Sequence, residues 1–474
     1  MTVTARGGID WRPWGAGAFV RARDERKPVL LCIEAPWCAA SLEMARTTYA
    51  DAAVATIVRE RFVPIRVDAD RRPDIAERYT LGGLPTTAFL DPGGQILGGG
   101  TFVPIDRMPG VLTRAADLFA STPQPFTPQS PESSKPSSAS SSATIGDADL
   151  IAAIFETFDT EHGGFGTQPK FPLAAPIELA LKLYRDTRDA SMARIAETTL
   201  DAMGWGELFD EVEGGFFRCA DMRDWRQPRR EKLLEVNAAL LRVYVDAADA
   251  LRTTRYLERA GDILRYVQTW LADQADGGWS GSQRGADESV DHTLYSGANA
   301  IMASGVLRAS AALNDTGLGE FALRSLERVL LTAYRPGEGV AHYIDDGRPF
   351  VRGLLDDQIA MASAQLDAYD ATGNIVYAMM AQELAHYAIR TMWDDQQGGF
   401  FDRSVANEDE RIGLMCDRRK PFTSNCDAAG MLRRLTELSG EKDFADRSAV
   451  ILATMAAQAA SQGPLAAHYL LAKT

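Results

Sequence analysis

The stretch LLCIEAPWCAASLEMARTTYADAAV, residues 30–54, holds the side chain best suited to covalent chemistry in this chain. Cys38 ends a β-rich run and opens a helical one, and a thiol at the amino end of a helix is favoured as thiolate. Turnover in disulfide exchange needs a second thiol to release the mixed disulfide made by the first. Three residues on stands Ser41, and Cys32 lies within the apolar run VLLCI, where burial keeps a thiol protonated. Dithiol reduction is therefore not expected. Two readings stay open: Cys38 acts as a monothiol, or the scaffold has left redox chemistry. The five cysteines (Cys32, Cys38, Cys219, Cys416, Cys426) have no C-x-x-C spacing and the five histidines are dispersed. A disulfide framework, a metal site and a cofactor are accordingly not expected.

The elements that must position Cys38 follow an α/β order. PVLLCIEA reads as a strand, AASLEMARTTY as a helix, FVPIRVDA as a second strand and TTAFLDPGGQILGGGTF as a hairpin. From Ser121 the sequence runs STPQPFTPQSPESSKPSSASSSATIG, where proline and serine dominate and large apolar residues nearly vanish. The expected division is a domain at 1–120, a linker at 121–146 and a helical body at 147–474. A chain of 474 residues exceeds one ordinary domain.

The body repeats. DTEHGGFG, DEVEGGFFR, DQADGGWSG, a degenerate RPGEGVAHY and DDQQGGFFDR recur at Gly163, Gly214, Gly277, Gly337 and Gly398. Between them the periodicity predicts helix pairs at 147–158 and 174–186, 188–209 and 231–250, 253–273 and 293–313, 317–335 and 355–372, 374–393 and 423–438, and 440–462 and 464–473. Open solenoids of helical hairpins repeat over shorter spans with tight turns. The longer repeat, with a long loop in each hairpin, predicts a closed (α/α)6 toroid. Glu178, Asn237, Asn299, Asp357 and Asn425 fall near the starts of the second helices, and the register expects all five at one mouth of the ring.

These blocks together resemble the YyaL-like or spermatogenesis-associated family, in which a thioredoxin-like domain of unknown function precedes a six-hairpin glycosidase-like toroid. The resemblance rests on IDWRPWGAGAFVRARDERKPVLL, FVPIRVDADRRPDIAERY and GGLPTTAFLDPGGQILGGGTF in the first part. In the second it rests on DTEHGGFGTQPKFP, FDEVEGGFFR, REKLLEVN, LLDDQIAMASAQLDAYDATG and DDQQGGFFDR. Members carry a CHWCH-type motif where this chain reads Cys38-Ala39-Ala40-Ser41-Leu42, so one thiol survives. Pro85 in GGLPTT resembles the cis-proline beside a thioredoxin's thiol, where it shapes the substrate groove.

For the toroid the resemblance implies carboxylates for acid–base work and aromatics for stacking on sugar faces, as in six-hairpin glycosidases and sugar epimerases. Asp159, Glu231, Asp291 and Asp357 are the carboxylate candidates, with Lys232 beside Glu231. Phe165, Phe171, Phe216, Trp279 and Phe400 are the aromatic ones. The competing reading gives the acids helix-capping roles and uses the aromatics to pin their turns to the core.

The net charge of −15 lies almost wholly beyond residue 120, since residues 1–120 hold 15 basic and 14 acidic side chains. An acidic body repels phosphate, so nucleic acid is not an expected partner. No apolar run approaches a membrane span and MTVTARGGIDWRPWG has no signal-peptide core, so a cytoplasmic protein away from membranes is expected. The expected function is binding of a small polyhydroxylated, carbohydrate-like ligand in an acidic, aromatic funnel. A monothiol protein acting through Cys38 and a non-catalytic scaffold are the alternatives.

Overall fold

The computed structural model describes residues 8–121, 146–405 except 286 and 288, and 410–474. Most of the expected linker, 122–145, lies outside the described residues. Contacts divide the chain into two units, Met1–Ser140 with Val405–Arg418, and Ser141–Ser404 with Arg419–Thr474.

In the first unit α1 (Ala16–Glu25) leads into β1 (Val29–Glu34), α2 (Ala39–Arg46), α3 (Ala52–Arg61), β2 (Val63–Asp68), α4 (Pro73–Tyr79), β3 (Thr86–Leu90), β4 (Ile96–Gly100) and α5 (Met108–Ser121). The sheet order is β2-β1-β3-β4, with β1 and β2 parallel and the β3–β4 hairpin antiparallel. The run VLLCI is buried on both faces, as its unbroken apolar character requires. Asp51 starts α3 by accepting the amides of Ala53 and Val54 at 2.9 Å.

The segment Val405–Arg418 departs from the expected division, because its described part completes the first unit's core. Met415 is fully buried there among Trp14, Phe19 and Tyr79, with Ile412 and Leu414 packed alongside. Tyr79 donates its hydroxyl to the Gly94 carbonyl and accepts the Leu414 amide, both at 2.8 Å. Arg78 donates to the carbonyls of Leu414 (3.2 Å) and Asp417 (2.8 Å). Gly413 has φ +53° and lies so close that a Cβ would run into the Gly94 carbonyl. Burial of these apolar side chains gives the segment its place, and here the neighbours that bury them are distant in sequence.

The second unit is a closed ring of six helical hairpins: α6 (Asp147–Glu156) with α7 (Ala174–Thr187), α8 (Ala190–Gly204) with α9 (Leu234–Leu251), α10 (Thr254–Tyr266) with α11 (Ser296–Leu313), α12 (Thr316–Ala333) with α13 (Leu355–Thr372), α14 (Ile375–Met392) with α15 (Phe422–Ser439), and α16 (Lys442–Ala459) with α17 (Ala467–Ala472). Each even-numbered helix lies outside. The inner helices α7, α9, α11, α13, α15 and α17 pack successively, and α17 returns to α7. The inner helices are correspondingly buried over most of their circumference; α11, SGANAIMASGVLRASAAL, is rich in small residues, and Gly305 gives α9's Leu241 room. Two inner helices start three residues later than their patterns predict, because Lys232–Leu233 and Leu294–Tyr295 pair as short strands.

Four of the glycine turns share one construction, seen at Asp159–Phe165, Asp210–Phe216, Asp273–Trp279 and Asp394–Phe400. The aspartate's backbone closes the turn, with Gly163 N donating to Asp159 O at 2.8 Å in the first, and the carboxylate accepts amides two and three residues on. Both glycines of each turn have φ between +67° and +87°, the left-handed region that makes glycine the default. A cation then holds each aspartate: Lys170 at 2.8 Å, Lys232 at 2.7 Å, Arg328 at 2.8 Å and Lys420 at 2.7 Å. No helix among the described residues is long and apolar enough to cross a membrane.

Candidate functional site

The expected ring of polar side chains is mostly spent on the turns. Asn425 accepts the Phe400 amide at 2.7 Å and donates to the carbonyls of Phe400 (2.9 Å) and Pro421 (2.8 Å). Asn237 does the same for Phe216 and Asn299 for Trp279. In the fourth hairpin this role falls to Gln358, which clasps Val340, and not to Asp357 one residue earlier. All three asparagines are buried, at 0–2% exposure, as amides with every hydrogen bond satisfied can be.

The turn aromatics are likewise core residues. Phe165, Phe216, Trp279 and Phe400 are at most 2% exposed, whereas Phe171 is 40% exposed with the Arg218 guanidinium 5.7 Å from its ring centre. Asp159 is buried against Lys170 and Arg223; burial would raise its carboxyl, but those cations and two turn amides hold it well below the usual range. Lys232 is buried between Asp210 and Glu213, and Glu231 pairs with Arg218 at 2.7 Å. Asp291 braces its own loop through Thr293 (2.8 Å) and Tyr295 (3.2 Å).

Glu178 and Asp357 belong to a different set. An α-helix turns about 100° per residue, so residues two positions from the turn-clasping Asn or Gln lie on nearly the opposite face. Those positions are Glu235 on α9, Asp356 on α13 and Asp427 on α15. Glu235 is exposed, yet burial within a concave wall raises its carboxyl, with Arg218 and His342 pulling the other way. Asp356 is also exposed, and is raised first by burial and further by Asp357 and Asp427; its hydrogen bond to Ser424 and nearby His342 oppose this. Both carboxyls are thus desolvated although their residues reach solvent.

Two histidine–carboxylate pairs neighbour these acids. His342, on the strand Gly339–Asp345, approaches Asp357 through Nδ1 at 2.9 Å, and Asp357 also accepts the Gly297 amide at 3.1 Å. The Tyr295 ring lies 5.6 Å from the imidazole. His468 on α17 approaches Asp427 through Nδ1 at 2.8 Å. Burial would lower His468, but Asp427 and then Glu178 raise it above the ordinary histidine value. Glu178 in turn binds Arg242 at 2.6 Å. His342 thus influences Glu235 and Asp356, Asp427 influences Asp356 and His468, and Glu178 and Arg242 influence His468, so charges from five of the six inner helices act on one another. Such pairs can take up and return a proton, and the carboxylates can bind hydroxyl groups. Sequence reasoning missed Glu235, Asp356, His342, Asp427 and His468. The offset of two from Asn237, Gln358 and Asn425 was the available signal for the three acids, with Gly297 and Ile301 at that offset from Asn299.

In the first unit Cys38 is 9% exposed with Sγ 3.8 Å from the Leu84 carbonyl, next to the cis Leu84–Pro85 bond. Ser41 is buried, and Cys32 is buried with its thiol pushed up to about 12 by desolvation. Among the described residues, no three His, Cys, Asp or Glu side chains are grouped as metal ligands.

Residues 1–130 match the family model described as "Protein of unknown function, DUF255". Spermatogenesis-associated protein 20 of Mus musculus is 29% identical over 301 residues, covering 57% of this chain and 38% of that protein, so the chain matches well under half of the relative's length. A crystal structure of D-mannose isomerase superposes with a TM-score of 0.55 at 15% identity, covering 65% of this chain and 84% of that one. Cellobiose 2-epimerase from Bacillus thermoamylovorans B4167 gives 0.55 at 12%, covering 63% and 82%. At these identities the structural likeness is one of fold. The chain thus carries a thioredoxin-like domain of the DUF255 type and a toroid of the six-hairpin fold, and it is similar to the spermatogenesis-associated proteins.

Proposed function

We propose that the toroid binds a small carbohydrate-like, polyhydroxylated ligand in the recess where its inner helices begin. The observation that carries this reading is the convergence of Glu235, Asp356, the His342–Asp357 pair and the His468–Asp427 pair from separate hairpins onto one accessible, desolvated surface. Carboxylates and imidazoles satisfy hydroxyls in both donor and acceptor directions. Tyr295 beside His342 and Phe171 over Arg218 supply flat apolar surface of the kind sugars stack on. The fold shared with a D-mannose isomerase and a cellobiose 2-epimerase supports the same ligand class, and the paired histidines have the chemistry to move a proton on it. The thioredoxin-like domain serves as a non-redox module in this reading.

Titration calorimetry of the full chain with D-mannose, D-glucose and cellobiose tests the proposal. At least one sugar should bind saturably, and Glu235→Gln with Asp356→Asn should weaken it about tenfold or more, as loss of one charge-assisted hydrogen bond predicts. Saturable binding that both variants leave unchanged would place the sugar elsewhere.

A further inference from the structure

A cavity of about 290 Å³ opens beside α2 in the thioredoxin-like unit, lined by Glu34, Ser41, Leu42, Ala45, Ala50 and Arg66, with the solvent-exposed Arg46 also on its wall. Cys38 does not line it. Its size is that of roughly ten water molecules and lies at the small end of ligand cavities. Glu34 ends β1 and Arg66 lies near the end of the parallel β2, so the cavity sits by the carboxyl ends of two parallel strands, where open α/β sheets commonly bind ligands.

The wall carries both signs of charge. Arg66 is held with its guanidinium 4.5 Å above the centre of the Trp11 ring, and both it and Glu34 are mostly buried, at 18% and 24% side-chain exposure. Arg66 Nε and Glu34 Oε1 are 3.4 Å apart, yet Nε makes no hydrogen bond. The pair is therefore loosely closed, and a guanidinium with five N–H groups and a carboxylate with four lone-pair sites each keep capacity for another partner. Desolvation raises the Glu34 carboxyl, while Arg66 opposes that rise, as expected of a sparsely hydrated wall. Leu42, Ala45 and Ala50 provide the apolar remainder.

We propose that this cavity binds a small zwitterion of the amino-acid kind, its ammonium on Glu34, its carboxylate on Arg66, and its aliphatic body against Leu42, Ala45 and Ala50. A simple anion would satisfy Arg66 and meet Glu34 as a like charge; a simple amine would do the reverse. A neutral pair of opposite charges complements both of these mostly buried groups, whereas Arg46 is exposed and its charge is screened by solvent.

Saturation-transfer NMR on the full chain, with L-valine as probe and isobutyrate and isobutylamine as single-charge controls, tests the proposal. Valine should bind saturably at millimolar concentration, and each control at least about tenfold more weakly. Ala45→Leu, which fills the cavity, should abolish the valine signal without lowering the melting temperature. Glu34→Gln should weaken it about tenfold and decides the matter if Ala45→Leu folds poorly. Absence of saturable valine binding, isobutyrate binding as tightly as valine, or valine binding unchanged in a folded Ala45→Leu protein would each overturn the assignment.

Discussion

At Cys38 the chemistry is set by what its neighbours lack. The thiol has Ser41 where a resolving thiol would stand, and Cys32 is locked in the strand with its proton held by burial. The chain should therefore give no multi-turnover reduction in an insulin assay. Ser41→Cys should raise the rate above that background, and efficient turnover by the unmodified chain, lost in Cys38→Ala, would contradict this. On α17, His468 carries a testable charge. Because Asp427 raises it, its imidazolium stabilises the fold below the ordinary histidine value near 6.5, and that contribution fades as pH rises through the raised value. Asp427→Asn should move the His468 titration downward in an NMR pH series. An unchanged midpoint would show that the pairing does not govern it.

At the level of the element, the glycine turns explain why acids and amides recur every hairpin. Burial alone would raise Asp159, Asp210, Asp273 and Asp394; a partner cation and turn amides outweigh it and lower all four. Their contribution is present above the ordinary carboxylate range and disappears as pH falls through the lowered values. Asp394→Asn should accordingly narrow the difference in melting temperature between neutral pH and about pH 3. The clasping amides should matter at every pH. Asn425→Ala would leave the buried Phe400 amide without its acceptor, and a loss of about 3 kcal/mol in denaturant unfolding is expected. A loss within error would mean that water replaces the clasp.

For the whole molecule, the segment 410–417 revises the idea of two separable parts. The first unit draws Met415 and Leu414 into its core and closes Tyr79 and Gly94 against them. A fragment of residues 1–121 should therefore show an unstable or molten fold by near-UV circular dichroism, and a peptide spanning 405–418 added in trans should restore cooperative melting. Cooperative folding of the fragment alone, unaffected by the peptide, would remove the segment from the stability of this unit. Proteolysis of the intact chain should still begin in 121–146, where composition offers little apolar surface to bury.

Local pattern alone determined both fold classes, the twelve toroid helices and the repeating turns, because strand runs, 3.6-residue periodicity and glycine pairs encode structure over short stretches. It also found the positions that recur, Asn237, Asn299 and Asn425, and expected them to face the mouth of the ring, whereas their side chains clasp the glycine turns. That depended on rotation about each helix axis relative to its neighbours: the Asn side chains meet the turns behind them, while Glu235, Asp356 and Asp427, on nearly the opposite helix face, are exposed. His342 and His468 have no shared spacing in sequence, and only closure of the ring sets them among carboxylates from other hairpins. The packing of Met415 into the first unit was similarly beyond local reading, since a hydrophobic contact across more than 330 residues leaves no periodic trace in the chain.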